Sequence, residues 1–369
     1  MRILIVTGEA SGDAHAAKVV PHLAAAGYRV DAVGGPALLA AGADVIEPLD
    51  ALSVIGLVEV IARLPRLAAL QSRLVAGLRA RRWDLVLTVD YPGFNLRLAR
   101  RAHRYGIPVV HYIGPQVWAW RAHRLALLRR AVAHVALVLP FEKPLYDAAG
   151  VPATWVGHPL LDDPEPAAVA VDRDLGLFPG SRAQEIDRHL EVLVAAAAAL
   201  RRRRRDLRLL VSRAPTVDAA RFAPVLRAYG FDPECMTCEP ARVALRRCRA
   251  ALVKSGTTTL EAALAERPFA VLYRTSGLTF AVARRLVRVP FASLVNLVAG
   301  AAVVREYLQA AATPAALAAE AERLLDDDSE RARIAAAGRG VRARLGTPGA
   351  SARVAALVTR VAPSPRSAA

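Results

Sequence analysis

Residues 85–95 read Leu-Val-Leu-Thr-Val-Asp-Tyr-Pro-Gly-Phe-Asn. The run Leu85–Val89 has no polar alternation, which predicts a strand buried on both faces, as in parallel sheets. An aspartate ends it, Pro92-Gly93 marks a turn, and a helical pattern follows over Leu96–Tyr105. The same strand–loop–helix unit recurs on either side. Strands are expected at Ile3–Thr7, Arg29–Val33, Val109–Tyr112 and Val135–Leu139, and helices at Ala14–Ala26, Leu57–Arg81 and Arg121–Ala131. Strands alternating with helices of this length form βαβ units and a parallel sheet. Glycine and proline then cluster over Gly150–Pro166, which reads as a linker. A second series has strands at Leu175–Phe178, Leu207–Val211, Ala250–Val253 and Phe269–Tyr273. Its helices are expected at Gln184–Arg205, at Thr259–Ala265 and beyond Pro314. The fold expectation is α/β, with two parallel-sheet domains whose ligand lies in the cleft they face.

Composition narrows the class without choosing a function. The chain has 369 residues, 54% of them apolar, which excludes wholesale disorder. Its formal charge is +17, and only Lys18, Lys143 and Lys254 are lysines; all other basic residues are arginines. That excess suits a nucleic acid, an anionic membrane surface or a phosphorylated substrate. The arginines are spread along the chain rather than gathered into a module, which weighs against nucleic acid. Three cysteines give no disulfide framework, and Cys235-Cys238 lacks the second ligand pair of a zinc site. The opening run Ile3–Val6 is too short for a signal segment, and no stretch reaches the roughly 18 uncharged apolar residues of a membrane helix. A cytoplasmic protein, soluble or membrane-peripheral, is expected.

Chemistry is sought in the loops at the strand ends. Gly8-Glu9-Ala10-Ser11-Gly12-Asp13 follows the first strand. It is not a dinucleotide fingerprint, and its carboxylates suit sugar hydroxyls or proton transfer; a tight turn with a helix cap is the alternative. Asp90 follows the third strand, where partial burial would lift its carboxyl toward useful base strength; a turn Asp bonded to backbone amides is the alternative. His111 to Arg121 carries Trp118 and Trp120, a surface for sugar or acyl groups or simply a packed helix start. In the second half, Pro179-Gly180-Ser181-Arg182 and Ser255-Gly256-Thr257 each lead from a strand into a helix, where unpaired N–H groups favour an anion. Arg182 adds a fork suited to a diphosphate, and Glu261 could accept from ribose hydroxyls. Neither loop has the P-loop lysine pattern. Asp172-Arg173-Asp174 sits at a strand entry, away from those ends, and reads as solvated. Over Val54–Leu78, leucines at helical spacing are bordered by arginines, with Pro65 expected to split the segment in two. The stripe fits either an anionic membrane surface or the core face of a βαβ helix.

Taken together and in this order, these loops resemble the lipid-A-disaccharide synthase family, over roughly residues 1–310. Pro115-Gln116-Val117-Trp118-Ala119-Trp120-Arg121 and Pro179-Gly180-Ser181-Arg182 are its most specific blocks here, joined by Pro140-Phe141-Glu142, Gly157-His158-Pro159 and Asn296-Leu297-Val298-Ala299-Gly300. The resemblance implies a GT-B fold of two Rossmann-like domains: 1–160 for the acceptor and membrane, 161–345 for the UDP-sugar, a helix at 346–361 returning to the first, and a disordered tail at 362–369. It implies inverting transfer of 2,3-diacylglucosamine from UDP-2,3-diacylglucosamine to the 6-hydroxyl of 2,3-diacylglucosamine 1-phosphate. The products would be a β-1,6 disaccharide 1-phosphate and UDP. By the resemblance Asp90 is the base and Arg182 the residue acting on the diphosphate. Glu9, Ser11, Gly180, Ser181, Ser255, Gly256, Thr257, Glu261 and Asn296 bind substrate, and Leu57, Ile61, Leu64, Leu67 and Leu70 face the membrane. Neither metal nor other cofactor is implied, nor any nucleic acid. A homodimer, peripheral on the cytoplasmic face of the bacterial inner membrane, is expected. The rival readings are another GT-B enzyme using UDP-N-acetylglucosamine, a transferase or an epimerase, and a basic nucleic-acid-binding protein. Two departures from the family stand out: a short stretch from His158 to Leu177, and Gly93 where some members carry a second acid.

Overall fold

The computed structural model describes residues 1–49, 57–119, 122–277, 280 and 289–363, with backbone alone over 57–64. Among them, the first seven strands are β1 (Arg2–Thr7), β2 (Arg29–Gly34), β3 (Asp44–Pro48), β4 (Leu85–Val89), β5 (Val109–Tyr112), β6 (His134–Leu137) and β7 (Ala153–Trp155). They form one parallel sheet in the order β3-β2-β1-β4-β5-β6-β7. A second parallel sheet contains β8 (Arg173–Phe178), β9 (Leu209–Ser212), β10 (Met236–Thr237), β11 (Cys248–Lys254), β12 (Phe269–Tyr273) and β13 (Glu306–Leu308), ordered β10-β9-β8-β11-β12-β13. The central strands are dry: all five residues of β4 are buried, and so are Ile3 to Thr7 of β1. Burial on both faces explains the unbroken apolar runs there.

Four strands carried no such signal, namely β3, β7, β10 and β13. All lie at or near sheet edges, are short, and are mostly half-exposed, so no apolar run marks them. Ala153–Trp155 falls inside the stretch read as a linker, which is therefore narrower than expected. The chain divides into Met1–Asp163 with Leu345–Ala369, and Pro164–Arg344. Within the first unit the last helix, Ala350–Val361, packs on the helix Val20–Ala25 and on β5 and β6. Asp162 caps that helix by accepting the N–H groups of Gly349, Ala350 and Ser351 at 2.7, 2.9 and 2.7 Å.

The helix Leu57–Arg79 runs through Pro65 as one element. A proline removes one helical hydrogen bond, and here the turns beyond it are secured by burial. Leu70, Leu74 and Leu78 are buried in the core beside Trp83, Leu98 and Ala102, and Leu67 packs against the same cluster. The membrane expectation for Leu67 and Leu70 is thereby corrected: their side of the helix faces the sheet. The side chains of Leu57, Ile61 and Leu64 lie outside the described residues. No helix among the described residues is long and apolar enough to cross a membrane.

Candidate active site

In each sheet the order reverses at one point, between β1 and β4 in the first and between β8 and β11 in the second. At such a reversal the crossover helices of doubly wound sheets run to opposite faces, and ligands bind in the crevice this leaves at the carboxyl ends. The loops beside the first reversal are Gly8–Asp13 and Asp90–Asn95; those beside the second are Pro179–Arg182 and Ser255–Thr257. The candidate residues thus converge on the switch point of their own sheet.

In the first unit, Thr7 pairs with Val89, so Gly8 and Asp90 leave the sheet side by side. Asp90 and Tyr91 both take left-handed backbone, φ 46° and 48°, a costly conformation for two successive residues with side chains. The buried Asn95 holds them there: its Nδ2 donates to the carbonyls of Asp90 at 2.7 Å and Val89 at 3.1 Å. The Asp90 N–H donates to the Tyr112 carbonyl at 2.9 Å, tying the loop to β5. The Tyr91 ring lies over Gly8, where an added Cβ would come within 2.2 Å of its Cγ. Burial, and then the charge of Glu9, push the Tyr91 phenol above its usual range. Asp90, Tyr91 and Glu9 are half-exposed and Ser11 is exposed. Asp13 is spent elsewhere: it is buried and accepts the N–H groups of Gly35 and Ala37 at 2.6 and 2.9 Å. Of that loop's two carboxylates, only Glu9 faces solvent.

In the second unit the helix Ala183–Arg201 starts directly after Arg182. Gly180 has φ 119°, and a Cβ there would meet the Glu185 carboxylate at 2.5 Å. Glu185 gathers both loops. Its Oε2 accepts the Ser181 N–H at 3.1 Å, and its Oε1 accepts Lys254 Nζ at 2.6 Å and Arg182 Nη1 at 3.4 Å. Burial acts to raise its pKa, but the Lys254 ammonium, Arg182 and the Ser181 N–H outweigh it and hold the carboxyl below the usual range. Across the sheet, the Ser255 hydroxyl donates to the Ala292 carbonyl at 2.7 Å, Gly256 has φ 159°, and Thr257 is exposed. Glu261 lies in the first turn of the helix Thr258–Leu264. His189 is set by Arg274, whose N–H donates to Nε2 at 2.9 Å, leaving Nδ1 to donate to the Glu185 carbonyl at 2.6 Å.

Several expected residues do other work. Asn296 is buried and fully bonded: its amide donates to the Val304 carbonyl and Glu306 Oε1, and its oxygen accepts from Val303 and Val304. With both donors and both lone pairs used, it pins the segment 303–306, and the substrate-binding expectation is corrected. His111 lies within β5, fully buried, with Nδ1 2.8 Å from Thr88 Oγ1; burial, and then the charge of Arg124, lower its pKa to about 4. It is a core histidine. Trp118 donates its indole N–H to Glu142 at 3.1 Å and meets Phe141 edge-on, while burial raises Glu142 to about 7. Trp120 and Arg121 lie outside the described residues. Asp172 and Asp174 are paired with Arg173, Arg247 and Arg208 at the entry of β8. Among the described residues, no group of histidine, cysteine and carboxylate side chains is arranged to hold a metal. Lys254, Glu185 and Asn95 were the residues missed. A lysine at the end of an apolar strand, one of three in a chain whose other basic residues are arginines, was the signal for the first.

Two doubly wound parallel sheets in one chain, each with its loops gathered at the reversal, define the GT-B class. Solved structures of that shape cover nearly the whole chain. A UDP-GlcNAc 2-epimerase from Neisseria meningitidis bound to UDP-GlcNAc matches with TM-score 0.65 at 13% identity, over 98% of this chain and all of that one. The glycotransferase of kitacinnamycin matches with TM-score 0.61 at 16% identity, over 98% and 99%. These likenesses speak for the fold. The family model described as lipid-A-disaccharide synthetase matches residues 3–357. Lipid-A-disaccharide synthase from Anaeromyxobacter dehalogenans is 42% identical over 96% of each chain, and that from Myxococcus xanthus is 38% identical over 99% of this chain and 98% of its own. The chain belongs to the lipid-A-disaccharide synthase family, and its activity is that of a glycosyltransferase.

Proposed function

We propose that the protein transfers 2,3-diacylglucosamine from its UDP derivative to the 6-hydroxyl of 2,3-diacylglucosamine 1-phosphate, with inversion at the anomeric carbon. The observation that carries this reading is Asp90: a strand-end carboxylate at the switch point, locked in left-handed backbone by Asn95, in a member of this family. Asp90 takes the proton of the acceptor hydroxyl as its oxygen attacks C1, and the bond from C1 to the diphosphate breaks with UDP leaving. Arg182, with the Ser181 N–H, receives the growing negative charge of that leaving group, which is the work a metal ion does in other transferases. Glu9, Ser11, Ser255, Gly256, Thr257 and Glu261 contact the sugars and the nucleotide. Acylated substrates place the enzyme at the cytoplasmic face of the inner membrane, and the exposed Arg97, Arg100, Arg101 and Arg104 on the helix Pro92–Arg104 suit its anionic lipids. The family resemblance further implies a homodimer as the active form.

The test is incubation with radiolabelled 2,3-diacylglucosamine 1-phosphate and acylated UDP-glucosamine, followed by chromatography of the lipid product. A labelled disaccharide 1-phosphate is expected. Turnover of unacylated UDP-N-acetylglucosamine instead, by transfer or epimerisation, would replace this reading with that of a soluble-substrate GT-B enzyme. Light scattering reads the mass of the active species, and flotation on phosphatidylglycerol vesicles reads the membrane contact.

A further inference from the structure

We infer that Lys254 is a second cation for the diphosphate, resting on Glu185 until the nucleotide arrives. The inference builds on the donor site proposed above and adds a residue to it. Phe178 pairs with Val253, so Lys254, the last residue of β11, lies beside Pro179 at the reversal between β8 and β11. Lys254 Nζ, its side chain 14% exposed, donates to Glu185 Oε1, and Tyr273 lies with its ring centroid 5.9 Å from the ammonium. A lysine so enclosed is aimed by its surroundings rather than trailing in solvent.

The Glu185 carboxylate is bonded by donors of both loops at once: a backbone N–H, a guanidinium and an ammonium. That donor set also suits the oxygens of a diphosphate. The local charge argues the same way. Arg182 and Lys254 against Glu185 leave one positive charge; without Lys254 the balance is nil, and the diphosphate would meet a half-buried carboxylate unscreened. A diphosphate carries more charge and more acceptor oxygens than one carboxylate, so it draws the ammonium from Glu185 to itself.

The experiment compares UDP and uridine binding by calorimetry in the full-length protein, its K254M and E185Q variants, and the K254M/E185Q double variant. Uridine lacks the diphosphate, so it reports the nucleoside site alone. K254M is expected to weaken UDP about tenfold or more and leave uridine unchanged. The double variant removes both charges as a shape-matched neutral pair, which guards against a folding defect from an unpaired Glu185. It is expected to bind UDP about as much more weakly than E185Q as K254M does than the parent. A double variant that binds UDP as tightly as E185Q does shows Lys254 only neutralising Glu185 and overturns the contact. So does a K254M variant with parental UDP affinity. Failure of the unaltered protein to bind UDP at all would instead remove the donor-site reading on which this one stands.

Discussion

The Asn95 side-chain amide donates to the main-chain carbonyl of Asp90 at 2.7 Å, five residues back along the chain. Nδ2 also reaches the carbonyls of Val89 and Val6, so one buried amide holds the end of β4, the start of its loop and the neighbouring β1. The carboxylate assigned as base is therefore placed through its backbone, by a residue that need not touch substrate. Asn95→Ala should lower stability by about 1–3 kcal/mol, from carbonyls left without a donor. Because Asp90 and Tyr91 then lose support for left-handed backbone, kcat should fall more than KM rises. Urea unfolding and steady-state kinetics read the two effects. A stable variant with unchanged kcat would leave Asn95 as packing only.

Asp90→Asn keeps the shape and removes the base. Disaccharide formation should drop by about 10²–10⁴-fold, the usual contribution of a general base. UDP affinity should stay near the parental value, since Asp90 belongs to the first unit. Near-normal turnover would take Asp90 out of the proton-transfer role.

Arg182→Ala should lower kcat/KM for the donor by at least about tenfold, and Arg182→Lys should restore it poorly, because an ammonium lacks the planar fork. Activity should survive EDTA. Loss on chelation with recovery on adding a divalent ion would show that a metal shares the diphosphate.

Leu70→Ala separates core from membrane. Leu70 is fully buried within the first unit's core, so truncation should cost about 2–5 kcal/mol in urea unfolding. Vesicle binding by the folded variant should be unchanged. Unaltered stability with weakened vesicle binding would return this part of the stripe to the lipid.

Acid should unfold the protein through its buried histidines. Burial, ahead of nearby cations, lowers His111 to about 4, His15 to about 4 and His158 to about 3, from an ordinary value of 6.5. Arg124 acts on His111, Lys18 on His15, and His15 and then Lys18 on His158, partly offset by Asp162 and, for His15, Asp163 as well. Between pH 6.5 and about 4 the unfolded chain binds protons that the folded chain refuses. Stability therefore falls as pH drops through that window, with Glu142, raised to about 7, returning part of the loss of the three histidines. Melting temperature against pH should show this slope, and His111→Gln should flatten it. Equal slopes would mean that His111 does not titrate on unfolding.

Much of the site was legible in the chain because its elements announce themselves locally. Asp90, Arg182 and Ser255-Gly256-Thr257 follow apolar runs that only a buried parallel strand explains, so their place at strand ends could be read directly. Asn296 could not be read so. An asparagine in a family motif looks the same whether its amide meets a sugar or the carbonyl of Val304, and only the bonded partners distinguish the two. Likewise Leu67, Leu70, Leu74 and Leu78 make one apolar stripe whether lipid or a sheet lies opposite. Lys254 and Glu185 are 69 residues apart, and no local pattern pairs them.

Sequence alone determined the α/β alternation, the two-domain plan, the family and the candidate loops at the strand ends, because buried strands, turns and helix starts are set by residues close in the chain. Tertiary structure decided the order of the strands, and with it which loops share a reversal. It also decided which polar groups, such as Asp13 and Asn296, are consumed by the protein's own backbone. Those outcomes depend on desolvation and hydrogen-bond partners brought from distant segments, quantities that exist only once the sheets have closed.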